Sequence, residues 1–93
     1  MAFGSWDISE IKAVNLPQKV ATAFTEVTGE LTGADYVPVL YVGKQVVNGT
    51  NYCLIAVRHL VIPNDTPILV KIVIHVDDDS NKATLKSISR LGL

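Results

Sequence analysis

The dipeptide Asn48-Gly49 stands between two runs rich in β-branched residues, and it constrains the fold of this chain more than any other feature. Asparagine followed by glycine in such a setting is the strongest short-range signal for a β-hairpin, because a two-residue type I′ turn needs positive φ at both central residues. The sequence therefore predicts two antiparallel strands that meet at this dipeptide. Val46 and Val47 would leave the tip apolar, and an exposed apolar tip is typical of a docking surface.

Four segments after residue 35 have the composition of strands and are separated by short turns: 36–44, 50–62, 68–76 and 83–91. The second is the longest of these predicted strands, and apolar residues occupy both of its faces. In the third, apolar residues alternate from Ile68 to Val76, with Lys71 and His75 on the opposite face, which is typical of a strand with one buried face. Short turns between consecutive strands predict an antiparallel meander.

One amphipathic helix is predicted before the strands, because apolar residues recur there at helical spacing: Leu16, Val20, Ala23, Phe24, Val27 and Leu31. Asn15 is the expected N-cap, with Gln18 three residues later as in a capping box, and Gly29 and Gly33 are the candidate stop signals. The segment 3–14 begins without a clear pattern and then favours a short strand. The predicted fold class is α+β, with one helix packed on an antiparallel sheet in a single domain, 1–93.

Composition excludes several classes of function. The net charge is −1, which gives no indication of a nucleic-acid footprint or a polybasic membrane patch. Cys53 is the only cysteine, so an intrachain disulfide is excluded, as is typical of a reducing compartment. Residues 1–7 lack the charged and apolar regions of a signal peptide. We therefore expect a cytoplasmic protein that binds neither nucleic acid nor membrane, with secretion after loss of a signal peptide left open.

The segment Gln45-Val46-Val47-Asn48-Gly49, followed by Thr50-Asn51-Tyr52, resembles the first inhibitory hairpin of the cystatins, and most of all that of the stefin branch. The family pattern is Gln-x-Val-x-Gly, and Gln45, Val47 and Gly49 match it residue for residue. Cystatins are tight, reversible inhibitors of papain-like cysteine proteases. The resemblance covers nearly the whole chain and implies the cystatin fold, in which one long helix packs on a curved, four- to five-stranded antiparallel sheet.

The resemblance further implies that three elements at one end of the molecule enter the cleft of the protease. The first is the N-terminal segment, where Phe3 would suit an apolar subsite and Gly4 would let the chain turn along the cleft. The second is the hairpin 45–49, whose valines would cover the mouth of the active site while Gly49 allows the tight turn. Blocking the cleft in this way requires no catalysis, cofactor or metal from the inhibitor. We expect Gly49→Trp, or deletion of the residues before Ser5, to cause a large loss of affinity with the fold intact.

The third element would be the second hairpin, at 77–81, with Asp78, Asp79 and Ser80 in contact with the protease. Here the chain departs from the family, which often carries Pro-Trp or Leu-Pro in this loop. Removing three consecutive aspartates from water is unfavourable unless they meet basic groups. The sequence therefore indicates a weak third contact, or a target protease with a basic rim.

Two other patterns suggest chemistry but fit it poorly. Cys53 with either histidine could provide a thiol and a base, but a strand cysteine is more often a small core hydrophobe. Asp77-x-Asp79-x-Asn81 opens like a calcium loop, but Lys82 and Ile88 stand where that loop needs glycine and glutamate. A solvated turn is the better interpretation, and two histidines without ligand spacing do not make a zinc site.

The main rival interpretation is a non-inhibitory binding module that keeps the cystatin fold and self-associates. Such a module would use the second apolar face of strand 50–62, or exchange elements through the first hairpin as a domain-swapped dimer, which would straighten the tip. Residues 45–49 are also compatible with a well-made hairpin and nothing more. An enzyme acting on small molecules has little support, since the chain offers no carboxylate at an apolar strand position.

Overall fold

The computed structural model describes residues 6–92. It contains one helix and four strands: α1 Gln18–Thr28, β1 Ala34–Val47, β2 Gly49–Leu60, β3 Ile68–Val76 and β4 Ala83–Arg90. The strands form one antiparallel sheet in the order β1-β2-β3-β4, so the predicted meander is confirmed. The helix packs on this sheet, and the predicted α+β class is also confirmed.

The core lies between α1 and the sheet face that we call the inner face, which carries Tyr52, Leu54 and Ala56 on β2. The helix contributes the apolar stripe predicted from its spacing, of which Val20, Ala23, Phe24 and Val27 are buried. On β3 the alternation is also as predicted, since the residues from Val70 to Val76 at every second position are buried. Apolar burial of this kind is the main favourable contribution to folding. The opposite face of the sheet, the outer face, carries Asn51, Cys53 and Ile55 on β2.

The predicted helix N-cap is wrong. The cap is Pro17, with φ −51° and ψ 144°, and it makes no side-chain hydrogen bond to the helix. Proline fixes its own φ and disfavours helical geometry in the residue before it, so Asn15 and Leu16 stay outside the helix. Gln18 does not close a capping box; its Nε2 instead donates to Thr22 Oγ1 at 3.3 Å.

The helix has 11 residues, which is an average length for a globular protein and less than the long helix implied by the resemblance. It ends at Thr28, and Gly29, one of the two candidate stop signals, donates its backbone N–H to the Thr25 carbonyl at 2.9 Å. Within the part of the chain that the structure describes, no helix is long and apolar enough to cross a membrane.

The strand bounds differ from the sequence prediction mainly in β1. This strand, and not β2, is the longest, with 14 residues against 12. It runs directly into the turn at Asn48, and its pairing with β2 shifts register between Pro38 and Leu40 and again between Tyr41 and Gly43. Such bulges bend a strand and increase its twist, which allows a long strand to follow a compact core.

The predicted N-terminal strand is wrong for the residues that the structure describes. Residues 6–17 form no strand, and this stretch meets the sheet through one backbone hydrogen bond, in which Val14 N–H donates to the Pro38 carbonyl at 3.0 Å. Extended pairing along β1 would need a ladder of such bonds. The sheet therefore has four strands within residues 6–92.

Of the three β-hairpins in the described part of the chain, the β1–β2 and β3–β4 hairpins have their turns at the same edge of the sheet. Thr50, just after the first turn, pairs with Val76 of β3, and Val76 pairs in turn with Ala83 of β4. The opposite edge carries the connection from α1 and the loop 61–67, where Val61 N–H donates to the Gly33 carbonyl at 3.0 Å. The meander thus brings residues 45–49 and 77–82 close together, although they are far apart in the sequence.

The core prediction is tested by Ile72→Ala, with Ile62→Ala as a matched control. Ile72 is 0% exposed whereas Ile62 is 58% exposed. We expect Ile72→Ala to lower the free energy of unfolding by about 2–5 kcal/mol, because it removes buried methylene groups and leaves a cavity. Ile62→Ala should cost about 0.5 kcal/mol or less. Urea denaturation of both variants measures the difference, and equal losses would contradict this assignment of the core.

Candidate functional site

The first hairpin is confirmed, but its turn is not the predicted type I′. Asn48 alone separates the strands, with Val47 paired to Gly49 and Val46 paired to Thr50. Gly49 has φ +96°, whereas Asn48 does not have a positive φ. A type I′ turn needs positive φ at both central residues, so a positive φ at Gly49 alone excludes it. Glycine supplies the left-handed conformation without strain, so Asn48 keeps a conformation that side chains adopt more readily.

The tip of this hairpin is apolar and open to solvent, as the sequence predicts. Val46 is 75% exposed and Val47 is 45% exposed. Gln45 and Asn48, on either side of them, are exposed as well. Two adjacent valines in water at the end of a strand pair form a small surface that gains free energy when a partner covers it.

Gly49 lies beneath the tip and is buried. A Cβ atom at this position would lie 2.6 Å from His75 Cε1 and 2.7 Å from the Val76 carbonyl oxygen, both closer than real contacts allow. The expectation that Gly49→Trp leaves the fold intact is therefore wrong, because an indole would have to displace the backbone of β3. Gly49 holds the tip in place, and Gln45, Val46, Val47 and Asn48 form its surface.

Three polar side chains on the outer face tie the base of the tip to β3. Asn51 Nδ2 donates to Gln45 Oε1 at 3.1 Å, and His75 Nδ1 lies 2.8 Å from Asn51 Oδ1. Because Asn51 uses its NH₂ group for Gln45, its oxygen faces His75, and Nδ1 is the ring nitrogen that donates. The hydrogen-bond chain crosses β1, β2 and β3 and limits the freedom of Gln45.

Asn51 and His75 are supporting residues that sequence reasoning missed. Gln45 pairs with Asn51 because both stand three positions from Asn48 in the observed hairpin, whereas the predicted two-residue turn would pair Gln45 with Tyr52. His75 could not be found in this way, because its place opposite Asn51 depends on the β2–β3 register. That register is set by packing on the inner face and not by any local sequence signal.

The second hairpin is a polar turn organised by one carboxylate. Asp77 Oδ2 accepts hydrogen bonds from Asp79 N at 3.1 Å, Ser80 N at 2.9 Å and Ser80 Oγ at 3.0 Å. The Asn81 N–H donates to the Asp77 carbonyl at 3.0 Å, and Asn81 adopts a left-handed φ of 58°. These are the features of an Asx turn, as the solvated-turn interpretation predicted. The pKa of Asp77 lies below its ordinary value, mainly because Ser80 N–H stabilises the ionised form.

The structure brings together two of the three predicted protease-binding elements. Asp78, Asp79 and Ser80 are exposed at the same edge of the sheet as residues 45–49. Phe3 and Gly4 lie outside the described residues, so the N-terminal contact stays a prediction. The end of the molecule therefore pairs an apolar tip with an acidic turn.

The structure gives little support to the other two chemical patterns, the cysteine–histidine pair and the calcium loop. Cys53 is a half-buried free thiol opposite Val73, and Nδ1 of the nearest histidine on that face, His75, is bonded to Asn51. The Asp77 carboxylate is occupied by the turn itself. Among residues 6–92, no three side chains of histidine, cysteine, aspartate or glutamate cluster so that they could hold a metal ion.

Comparison with protein-family models, with curated proteins and with solved structures finds no match to this chain in any of the three. The stefin-like interpretation therefore depends on the residues of the first hairpin and on the geometry of this end of the molecule.

The close approach at Gly49 is tested by Gly49→Ala, with Gly33→Ala as the control. Both glycines have positive φ, +96° and +82°, but a Cβ at Gly33 would meet nothing within 4 Å. Gly33→Ala should therefore cost about 1–2 kcal/mol of stability, from the left-handed backbone alone. Gly49→Ala should cost more, about 3 kcal/mol or above, because β3 must also shift. Chemical denaturation distinguishes the two, and equal costs would contradict the packing of Gly49 against His75.

The role of Asp77 is tested by the pH dependence of Asp77→Ala. Since the folded-state pKa is depressed, the ionised carboxylate adds stability at pH values above its ordinary pKa of 3.8, and this contribution is lost as the pH falls through the folded-state pKa. The variant should melt below the wild type at neutral pH, and the difference should vanish in stronger acid. The control is Asp78→Ala, because the Asp78 carboxylate accepts none of the hydrogen bonds that Asp77 accepts in this turn. A difference that persists in acid would contradict the role of the charge.

Proposed function

We propose that this protein is a reversible inhibitor of papain-like cysteine proteases, and that it acts as a stefin-like wedge. The observation that carries the proposal is the apolar tip, with Val46 75% and Val47 45% exposed, on a hairpin whose base is fixed by Gln45, Asn51 and His75. A preformed tip loses little conformational freedom when it binds, so more of the contact energy remains as affinity.

The backbone of the tip supports inhibition in preference to cleavage. Val47 and Gly49 are still paired with each other across the turn, so only Asn48 lies outside the strands. A peptide bond must lie in an attackable geometry before a nucleophile can reach its carbonyl. The paired turn withholds that geometry, so the valines fill the mouth of the cleft without acting as a substrate.

The acidic turn favours a particular kind of target. Asp78 and Asp79 are exposed beside the tip, and burying their charges against an apolar rim would be unfavourable. If the protease presents lysine or arginine to Asp78 and Asp79, their contribution to the binding free energy becomes favourable. The same charges would accelerate association, and this acceleration would weaken as the salt concentration rises. We propose a protease with basic groups opposite residues 78–80, with Phe3 and Gly4 as the contact along the rest of the cleft.

A second candidate function, self-association through the sheet, is favoured by one observation. Leu40 and Val42 of β1 are 50% and 56% exposed, next to half-buried Cys53 and Ile55 on the outer face of β2. A contiguous apolar strand surface is a common site of protein association. The mass in solution, measured by light scattering, separates the two candidates, because an inhibitor of this kind works as a monomer whose tip remains folded.

The proposed function is tested by titrating papain with the monomeric protein and with two valine variants. Val46→Asp changes the tip, and Val61→Asp changes a valine of similar exposure, 69%, at the opposite edge of the sheet. We expect Val46→Asp to weaken inhibition roughly hundredfold, because burying an unpaired carboxylate costs about 3 kcal/mol. Val61→Asp should inhibit like the wild type.

Two outcomes would contradict the proposal. One is inhibition of papain that Val46→Asp and Val61→Asp leave equally unchanged. The other is full papain activity in the presence of excess monomeric wild-type protein. Circular dichroism of both variants shows whether the sheet is intact, so that a loss of inhibition is not confused with a loss of fold.

A further inference from the structure

The tip of the first hairpin contains Asn48, an exposed asparagine that is followed directly by glycine. Asn48 is the only one of the five asparagines in the chain that is followed by glycine. It is exposed and lies outside both strands, between Val47 and Gly49. Glycine has no Cβ, so the attack of its backbone nitrogen on the preceding side chain meets less crowding than at any other residue, although Gly49 itself is buried and paired with Val47.

The other asparagines lack this combination of features. Asn51 is paired within the sheet, and its amide is held on both sides by Gln45 and His75. Asn64 and Asn81 are exposed, but they precede Asp65 and Lys82, whose side chains crowd the following nitrogen. These residues provide internal references within the same molecule.

We propose that Asn48 is a site of spontaneous deamidation, and that this reaction limits the lifetime of the tip as a binding surface. The reaction itself follows from the dipeptide and its exposure. Its consequence for inhibition rests on the proposed function. The reaction consumes only water, and it needs no enzyme or cofactor.

The reaction proceeds in two balanced steps. The backbone nitrogen of Gly49 loses its proton to solvent base and attacks Cγ of Asn48, and the new C–N bond closes a five-membered succinimide. The bond from Cγ to Nδ2 breaks, and Nδ2 takes up a proton from solvent and leaves as ammonia. Water then adds to one of the two ring carbonyls and opens the ring. Addition at one carbonyl gives aspartate, and addition at the other gives isoaspartate, in which the main chain runs through the former side chain. The net change is the uptake of one water and the loss of one ammonia.

Both products damage the tip. Each places a carboxylate beside Val47, at an end of the molecule that already carries Asp77, Asp78 and Asp79. Isoaspartate also inserts an extra backbone carbon between Val47 and Gly49, which are paired with each other in the native turn. Because Gly49 is packed against His75 and the Val76 carbonyl, the added length must displace the valines outward or break this contact.

The chemical half of the proposal is tested by mass spectrometry on the intact, folded protein. The wild type is incubated at physiological temperature and mildly alkaline pH, then digested, and each asparagine-containing peptide is followed for conversion of amide to acid. We expect Asn48 to convert roughly tenfold faster than Asn64 or Asn81, with isoaspartate among its products. Conversion of Asn48 no faster than that of these two references would overturn the proposal.

The functional half is tested with Asn48→Gln, because the glutamine side chain is one carbon longer and closes a ring much more slowly. Inhibition of papain by the wild type should decline during incubation in parallel with deamidation, whereas Asn48→Gln, measured against its own inhibition before incubation, should show no decline over the same time. A fresh Asn48→Asp variant should resemble the aged protein in part. Undiminished inhibition by fully deamidated wild type would overturn this half. If the fresh protein does not inhibit papain, the proposed function fails, while the mass measurement still decides whether Asn48 is the modified site.

Discussion

The contact between Gly49 and β3 is the constraint on which the functional end of the molecule depends. With no side chain at this position, the first turn can settle directly on the His75 ring and the Val76 carbonyl. That contact fixes where β1 and β2 end relative to β3, and so it fixes the height of the tip above the rest of the sheet. The same His75 lies opposite Asn51 in the sheet, and from Asn51 the hydrogen-bond chain continues to Gln45. A bulkier residue here would change the position of every atom that a partner could touch.

The two faces of the sheet have different functions, and the tip belongs to neither. The inner face buries Leu54, Ile72 and Ile74 against the helix and provides the stability. The outer face holds the polar chain that orients the hairpin. Val46 contributes little to stability because it is 75% exposed, and Val47 is still 45% exposed. Under the proposed function, a partner covers both valines. Asn48 is exposed at the same tip, so the two proposals together imply that deamidation of Asn48 limits the lifetime of the binding surface.

In the acidic turn, hydrogen bonds to the Asp77 carboxylate hold the chain, while two other carboxylates remain exposed to solvent. Asp77 directs its carboxylate into the turn and ties down Asp79, Ser80 and the chain around them. Asp78 and the Asp79 side chain are then left exposed beside the tip. A turn that is polar because of its own hydrogen bonds thus gives this end of the molecule a negative rim, which would select among partners by charge.

The sequence alone was sufficient for features that depend on periodicity. The stripe from Val20 to Val27 and the alternation along β3 reflect the geometry of helix and strand, so their buried faces could be predicted. The hairpin at Asn48-Gly49 could also be predicted, but not its turn type, because β3 as well as the dipeptide determines how the turn lies. The helix start was misplaced for a local reason, since Pro17 overrides the capping preference of Asn15.

Only the tertiary structure decided which residues support the site. Gln45, Asn51 and His75 lie on three strands, and their meeting depends on a register set by apolar packing on the other side of the sheet. The burial of Gly49 has the same origin, because nothing in its neighbours along the chain indicates that His75 will lie beneath it. The sequence by itself determined an exposed apolar hairpin in an α+β domain, through local patterns of side-chain spacing. The rigidity and position of that hairpin came from long-range pairing, which no local pattern encodes.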